Sequence, residues 1–147
     1  VILVNSLGSY LIDTGATPAY QSDLRALYER FGGRANLSEA NYAEFDRLRG
    51  ELDAKHGLKK ATLDDYFAHI LHIIDVAGPE HVGFGADWDG GGGVVGLEDV
   101  SDLPKITARL LEAGYTDAQI EAMWSGNLLR VIREAQAVAE ADASATR

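Results

Sequence analysis

The sequence predicts an α/β fold in which two short parallel strands flank a long helical segment. The first strand is the apolar, β-branched run from Val1 to Asn5, which we expect to be buried, and the second runs from His81 to Ala86. Between them, apolar residues recur at helical spacing. Because a β–helix–β crossover is right-handed and joins parallel strands, we expect the carboxyl ends of both strands to lie at the same edge of one sheet.

Two helices are expected early in the segment between the strands and form a predicted insertion over residues 13–60. One covers residues 19–31 and stops at two glycines, and the other covers residues 38–56 and is closed by Gly57. Both have few large apolar residues, so we expect a charged hairpin on the surface. The rest of residues 1–140 is expected to form a single domain.

The helix before the second strand has the clearest pattern. Thr62 can cap its first turn, and its apolar residues recur every three or four positions along one face. These residues are Leu63, Phe67, Ile70, Ile74 and Ala77. Three more helices are expected over residues 104–114, 116–126 and 127–140, followed by a frayed tail over residues 141–147.

Composition and charge restrict the classes of protein that fit. Of the 147 residues, 46% are hydrophobic, which is typical of a globular domain with a core. The formal net charge is −10, and residues 61–147 carry fifteen acidic side chains against five basic ones. Such a surface repels phosphate, so we expect no nucleic-acid partner. No apolar run approaches the roughly 18 residues that a membrane span needs.

The chain has no cysteine, which excludes disulfides and thiolate metal sites. The absence favours a bacterial protein of the cytoplasm or periplasm. The chain opens at Val1, without a methionine and inside an apolar run, so we expect it to be part of a longer protein.

An acidic, glycine-rich loop from Asp87 to Gly93 follows the second strand. One interpretation is a calcium loop, because four residues occupy the first, third, sixth and twelfth positions of an EF-hand loop. These are Asp87, Asp89, Gly92 and Glu98. An EF-hand requires a helix before the loop, however, and a strand is predicted there. The other interpretation is a hydrolase in which Asp87, at a strand end, accepts and returns a proton beside a metal-activated water.

The run from His81 to Gly90, HVGFGADWDG, resembles the signature of the membrane (renal) dipeptidase family of zinc peptidases, in which such a stretch closes the last barrel strand. Upstream, the segment from His69 to Gly78 resembles the family's preceding helix. Downstream, residues 96–101, 110–115 and 126–131 resemble its closing helices. Several motifs in the family's order make the resemblance specific, although residues 13–60 contribute nothing to it.

This resemblance implies that the chain is the C-terminal part of a (β/α)8 TIM barrel of the metal-dependent hydrolase type and supplies its last two strands. The parent would hydrolyse dipeptides with two zinc ions. The zinc ligands and a substrate-binding arginine would lie upstream of Val1, so no metal ligand is expected in this chain. Asp87 matches the family's catalytic aspartate, and Tyr10 matches a tyrosine near the substrate pocket.

Other functions remain open at this point: another metal-dependent amidohydrolase-like barrel, a homologue that has lost catalysis, and a calcium-binding module. A homodimer is also left open. The dipeptide specificity of the parent does not follow from the residues present.

Other polar residues are expected to be structural. His69 and His72 share a helix face before the strand and lack a third ligand, so we expect surface histidines. Asp89 is expected to be a turn carboxylate that accepts from nearby backbone N–H groups. Trp88 either walls the substrate pocket or packs under the loop, and Asn127 is expected to begin or cap the last helix.

Overall fold

The computed structural model describes residues 1–145 and divides the chain into two compact units. The first, which we call the sheet unit, consists of Val1–Ile12 and the chain from Ala61 onward. The second, which we call the hairpin unit, consists of Asp13–Lys60. The sheet unit contains both strands and the acidic loop.

Two parallel strands, β1 (Ile2–Asn5) and β2 (Val82–Gly85), form the sheet. In their register Ile2 lies opposite Val82 and Asn5 opposite Gly85, so the predicted parallel pairing and the shared carboxyl edge are confirmed. The expectation that the first strand is buried is wrong for most of it. Val4 is buried, but Ile2 and Leu3 are 50% and 46% exposed, because β1 pairs only with β2 among the described residues.

Seven α-helices occur within residues 1–145. In chain order they are α1 Gly8–Leu11, α2 Pro18–Arg30, α3 Glu39–His56, α4 Leu63–Ala77, α5 Leu103–Glu112, α6 Asp117–Glu121 and α7 Asn127–Ala145. None of the helices in this part of the chain combines the length and the apolarity that crossing a membrane requires.

Helix α4 supplies much of the core of the sheet unit. It begins with a capping box, in which Asp65 accepts from the Thr62 backbone N–H at 2.8 Å and donates its own N–H to Thr62 Oγ1. As its apolar period predicts, Phe67, Ile70 and Ile74 are buried. Burial of these side chains against β2 and the C-terminal helices is the main contribution to the stability of this unit.

The C-terminal helices differ from prediction at two points. The expected helix over residues 116–126 is α-helical only to Glu121, and Ala122–Gly126 forms one wider π-helical turn. Helix α7 continues to Ala145, where we expected fraying from residue 141. The last two residues of the predicted tail, 146 and 147, lie outside the described residues.

Asn127 begins α7, as predicted, but its side chain does not cap that helix. It is buried, and its Nδ2 donates to the backbone carbonyls of Pro79 and Val82, each at 2.8 Å. These carbonyls lie just before and at the start of β2. Asn127 therefore fixes the entry of β2 against the last helix.

The hairpin unit is formed by α2 and α3, with the helices close to their predicted bounds. It has more apolar packing than its composition indicated, because three aromatic rings cluster around buried Phe45. The ring centroids of Tyr28, Phe31 and Tyr42 lie 4.8, 5.6 and 6.3 Å from that of Phe45. At the base of the hairpin, the Lys59 backbone N–H donates to the Thr14 carbonyl at 3.0 Å.

Candidate active site

The carboxyl ends of β1 and β2 bring two predicted segments together. Asn5 is the last residue of β1, and Asp87 follows the end of β2 by two residues. The Asn5 side-chain Nδ2 donates to Asp87 Oδ2 at 3.0 Å. This hydrogen bond joins residues that are 82 positions apart, and the sequence singled out only one of them.

Asp87 has an unusual backbone conformation. Its φ of 58° and ψ of 32° place it in the left-handed region, and it is the one non-glycine residue with positive φ within residues 1–145. Asn and Asp adopt this conformation more readily than other L-residues do, but it remains uncommon. The conformation turns the chain sharply out of β2, so that the Asp87 side chain is exposed at the strand end.

The chain after Asp87 folds back on it in a tight loop. The backbone N–H groups of Gly90 and Gly92 both donate to the Asp87 carbonyl, at 3.0 and 2.7 Å. A Cβ on Gly92 would lie 2.1 Å from the Ala86 carbonyl oxygen, and a Cβ on Gly90 would lie 2.2 Å from Asp87 Oδ1. Position 92 therefore requires glycine, because the atom in the way is a backbone carbonyl, whereas a side chain at position 90 would displace the Asp87 carboxylate.

Ser6 holds this loop to the end of β1. Its side chain is fully buried, donates to the Ala86 carbonyl and accepts from the Gly93 backbone N–H at 2.9 Å. The Ser6 carbonyl also accepts from the Gly93 N–H, at 3.1 Å. Sequence reasoning missed Ser6, since a serine after a strand is ordinarily part of a turn.

Trp88 and Asp89 take opposite positions in the loop. The indole of Trp88 is partly buried and its Nε1 donates to the Leu97 carbonyl at 3.4 Å, so Trp88 packs under the loop. Asp89 is exposed and makes no hydrogen bond or ion pair with any other described residue. The expectation that Asp89 accepts from nearby backbone N–H groups is therefore wrong.

Tyr10 lies in α1, a helix of one turn that follows β1. Its backbone N–H donates to the Leu7 carbonyl at 2.8 Å, and its side chain is 71% exposed. The phenol therefore does not pack into the core of the sheet unit. In sequence it lies five residues beyond Asn5, which contacts Asp87.

The calcium-loop interpretation does not fit the geometry. The segment before Asp87 is β2, whereas an EF-hand needs a helix there. Glu98, which would be the bidentate ligand, instead accepts from the Gly96 backbone N–H at 2.9 Å. Next along the chain, the Lys105 ammonium and the Glu98 backbone N–H hold the pKa of the Asp102 carboxyl at about 2. Asp99 and Asp102 form the capping box of the short turn Val100–Asp102, which precedes α5.

The histidines do not form a metal site with the acidic residues. Within the described part of the chain, no group of three His, Cys, Asp or Glu side chains is placed to hold a metal ion. His69 is not a free surface residue, because its Nε2 lies 2.8 Å from the Leu11 carbonyl and fastens α4 to the end of α1. His72 is exposed, and His56 pairs with Asp23 at 2.9 Å in the hairpin unit.

Two curated proteins that are similar to this chain carry the name dipeptidase. An uncharacterized dipeptidase of Schizosaccharomyces pombe is 48% identical over 87 residues, which are 58% of this chain and 21% of that protein. Dipeptidase tcpJ of Claviceps purpurea is 39% identical over 82 residues, 55% of this chain and 19% of that protein. The chain thus matches only about a fifth of the length of these curated relatives.

A solved structure is also similar. The crystal structure of the probable dipeptidase PvdM from Pseudomonas aeruginosa matches with a TM-score of 0.58 and 29% sequence identity, over 88% of this chain and 36% of that one. The sequence pattern of the membrane dipeptidase family (peptidase family M19) matches residues 1–146. A match over nearly the whole chain shows that the chain belongs to the membrane dipeptidase family.

Proposed function

We propose that this chain is part of a dipeptidase, a hydrolase that cleaves the peptide bond of dipeptides, and that Asp87 is its proton-transferring residue. The observation that carries the proposal is the position of Asp87. In a chain of the membrane dipeptidase family, it stands exposed at the carboxyl end of β2, in a left-handed conformation, with its carboxylate bonded to Asn5.

A carboxylate in this position suits general acid–base chemistry. Peptide hydrolysis requires a group that takes a proton from the attacking water and delivers a proton to the leaving amine. Asp87 is accessible, so a substrate can reach it, and its backbone is held by two loop N–H groups. The uncommon left-handed conformation also supports a functional role, because such strain persists mainly where the surroundings impose it.

Tyr10 is proposed to contact the substrate. Its exposed phenol has a donor that can bond a substrate carboxylate or the oxyanion that develops as the carbonyl is attacked. An aromatic residue that is 71% exposed contributes little to the core. The exposure therefore supports a role in contact with a ligand rather than in packing.

The described residues do not offer a zinc site. We propose that the two zinc ions expected for the parent bind to ligands that precede this chain, and that β1 and β2 are the last two strands of a (β/α)8 barrel. The exposure of Ile2 and Leu3 supports this arrangement, since a neighbouring strand and its helices would cover them. To this chain we assign only proton transfer and substrate contact.

The test is hydrolysis by the full-length protein. Purified enzyme is incubated with a panel of dipeptides, with N-acyl amino acids and esters as comparison substrates, before and after metal chelation and after Zn²⁺ is restored. We expect release of free amino acids from dipeptides that is lost with chelation and regained with Zn²⁺. Hydrolysis of the comparison substrates alone, or of none, would contradict the proposal.

A further inference from the structure

Asn5 makes two hydrogen bonds that together leave its side chain a single orientation. Its Oδ1 accepts from the Leu7 backbone N–H at 2.6 Å, and its Nδ2 donates to Asp87 Oδ2 at 3.0 Å. The backbone N–H of Leu7 is a donor and can bond only the amide oxygen of Asn5, so the NH2 group of Asn5 must face the carboxylate. The bond to Leu7 therefore aims the donor of Asn5 at Asp87.

The opposite oxygen of Asp87 is restricted by the loop. Asp87 Oδ1 lies so near Gly90 that a Cβ on that residue would come within 2.2 Å of it. The carboxylate is thus confined between a donor on the end of β1 and a glycine on its own loop. These two neighbours, one on β1 and one on the loop, limit rotation of the Asp87 side chain about its own bonds.

We infer that Asn5 is a positioning residue, which holds the Asp87 carboxylate in the orientation needed for proton transfer. This inference rests on the proposed function, in which Asp87 moves the proton. An amide suits the task because it is neutral and orients the carboxylate without neutralising it, whereas Arg or Lys in its place would form an ion pair.

The first test replaces Asn5 in the full-length enzyme. Loss of a hydrogen bond to a charged group changes an equilibrium by roughly 10- to 100-fold, so Asn5→Ala is expected to lower kcat by that factor, with KM within about twofold. A residue that only stabilised the loop would instead act through the melting temperature, which is measured alongside. Asn5→Asp, which sets a second carboxylate beside Asp87 in place of the donor, should lower kcat further.

A second variant reaches the same carboxylate from the other side. Gly90→Ala places a methyl group against Asp87 Oδ1 and leaves Asn5 intact, and it should lower kcat in the same way as Asn5→Ala. Ser6→Ala is the structural comparison, because it weakens the same loop without touching the carboxylate. It should lower the melting temperature and lower kcat less than Asn5→Ala does.

A double-variant cycle separates this inference from the proposed function. In an Asp87→Asn background, Asn5→Ala should lower kcat by less than about threefold further, because the effects of two residues that act through one group do not add. If Asp87→Asn is itself fully active, the proposed function fails. If Asp87→Asn is impaired but Asn5→Ala has wild-type kcat, or lowers kcat no more than Ser6→Ala does, only the role of Asn5 fails.

Discussion

The phenol of Tyr66 donates a hydrogen bond of 2.9 Å to the backbone carbonyl of Val4. Both residues are buried, and they lie on α4 and β1, 62 positions apart. The apolar period of α4 did not single out Tyr66, since it lies beside the predicted stripe. The bond holds β1 against α4 at the residue that precedes Asn5, so the core of the sheet unit and the strand end are directly connected.

Tyr66→Phe is expected to destabilise the protein and to change its response to alkaline pH. Removal of the hydroxyl leaves the Val4 carbonyl without its donor, at a cost of about 1–3 kcal/mol at neutral pH. Burial raises the pKa of the Tyr66 phenol above its ordinary value of 10.0. The folded protein therefore keeps the proton at a pH where the unfolded chain loses it, and this stabilisation is lost as the pH rises above about 10.

The measurement is denaturant unfolding of the full-length wild type and the variant between pH 7 and pH 11. The free energy of unfolding should fall more steeply above pH 10 for the wild type than for Tyr66→Phe. Burial also raises the pKa of Tyr20 in the hairpin unit, and that contribution is common to both proteins. Parallel pH curves would show that the Tyr66 phenol ionises freely in the folded state.

Asp87→Asn should reduce kcat of the full-length enzyme strongly, because the amide cannot accept and return a proton. General acid–base help is typically worth about 10²–10⁴ in rate. The matched control is Asp89→Asn two residues on, which is exposed, without partners among the described residues, and expected to change kcat by less than about tenfold. Zinc content should be close to wild type in both. The opposite ranking of the two variants would identify Asp89 as the proton-transferring group.

Tyr10→Phe removes the phenolic hydroxyl and keeps the ring. If the hydroxyl bonds substrate or transition state, kcat/KM should fall by an amount equivalent to about 1–3 kcal/mol. The melting temperature should be unchanged, because the side chain is largely exposed. Wild-type kinetics would remove Tyr10 from the candidate site and leave Asp87 as its only sequence-predicted member.

Ser6→Ala should lower the free energy of unfolding of the full-length protein by about 1–3 kcal/mol, since it removes a buried hydroxyl that donates to the Ala86 carbonyl and accepts from the Gly93 N–H. Ser9→Ala, on an exposed residue three positions on, is the control and should stay within about 0.5 kcal/mol of wild type. Equal effects of the two variants in denaturant unfolding would show that the loop is held elsewhere.

The 147-residue chain expressed alone is expected to aggregate and to hydrolyse no dipeptide when zinc is supplied. Its two strands have an unpaired edge, and apolar Val1, Ile2 and Leu3 are 40–50% exposed. Light scattering and an amino-acid release assay measure the two outcomes. Turnover by the purified chain would contradict the proposed position of the metal ligands.

The local elements and their order follow from the sequence, because caps, glycines and apolar periods are short-range signals. The helix bounds predicted from Thr62, from Gly57 and from the apolar stripe of α4 lie within a residue or two of the observed bounds. The pairing of β1 with β2 follows from the handedness of crossovers. The family resemblance indicated Asp87, whereas one aspartate at a strand end is ordinarily a turn residue.

The contacts that sequence reasoning missed are between polar residues distant in the chain. Asn5, Ser6 and Asn127 each bond groups 45 or more positions away, and their own neighbours in sequence show nothing periodic. Their partners are mostly backbone carbonyls, which carry no residue-specific signal. Such bonds become visible only when β1, β2 and α7 are placed in space.

The hydrogen bond between Lys59 and Thr14 at the base of the hairpin unit has an evolutionary consequence. Since the chain enters and leaves this unit at neighbouring points, residues 13–60 can be lengthened, shortened or replaced as one segment. The crossover between β1 and β2 would still contain α4, and the alignment of the two strands would not change. Variation in sequence and length can therefore accumulate in this segment while the strand ends that carry Asn5 and Asp87 stay fixed.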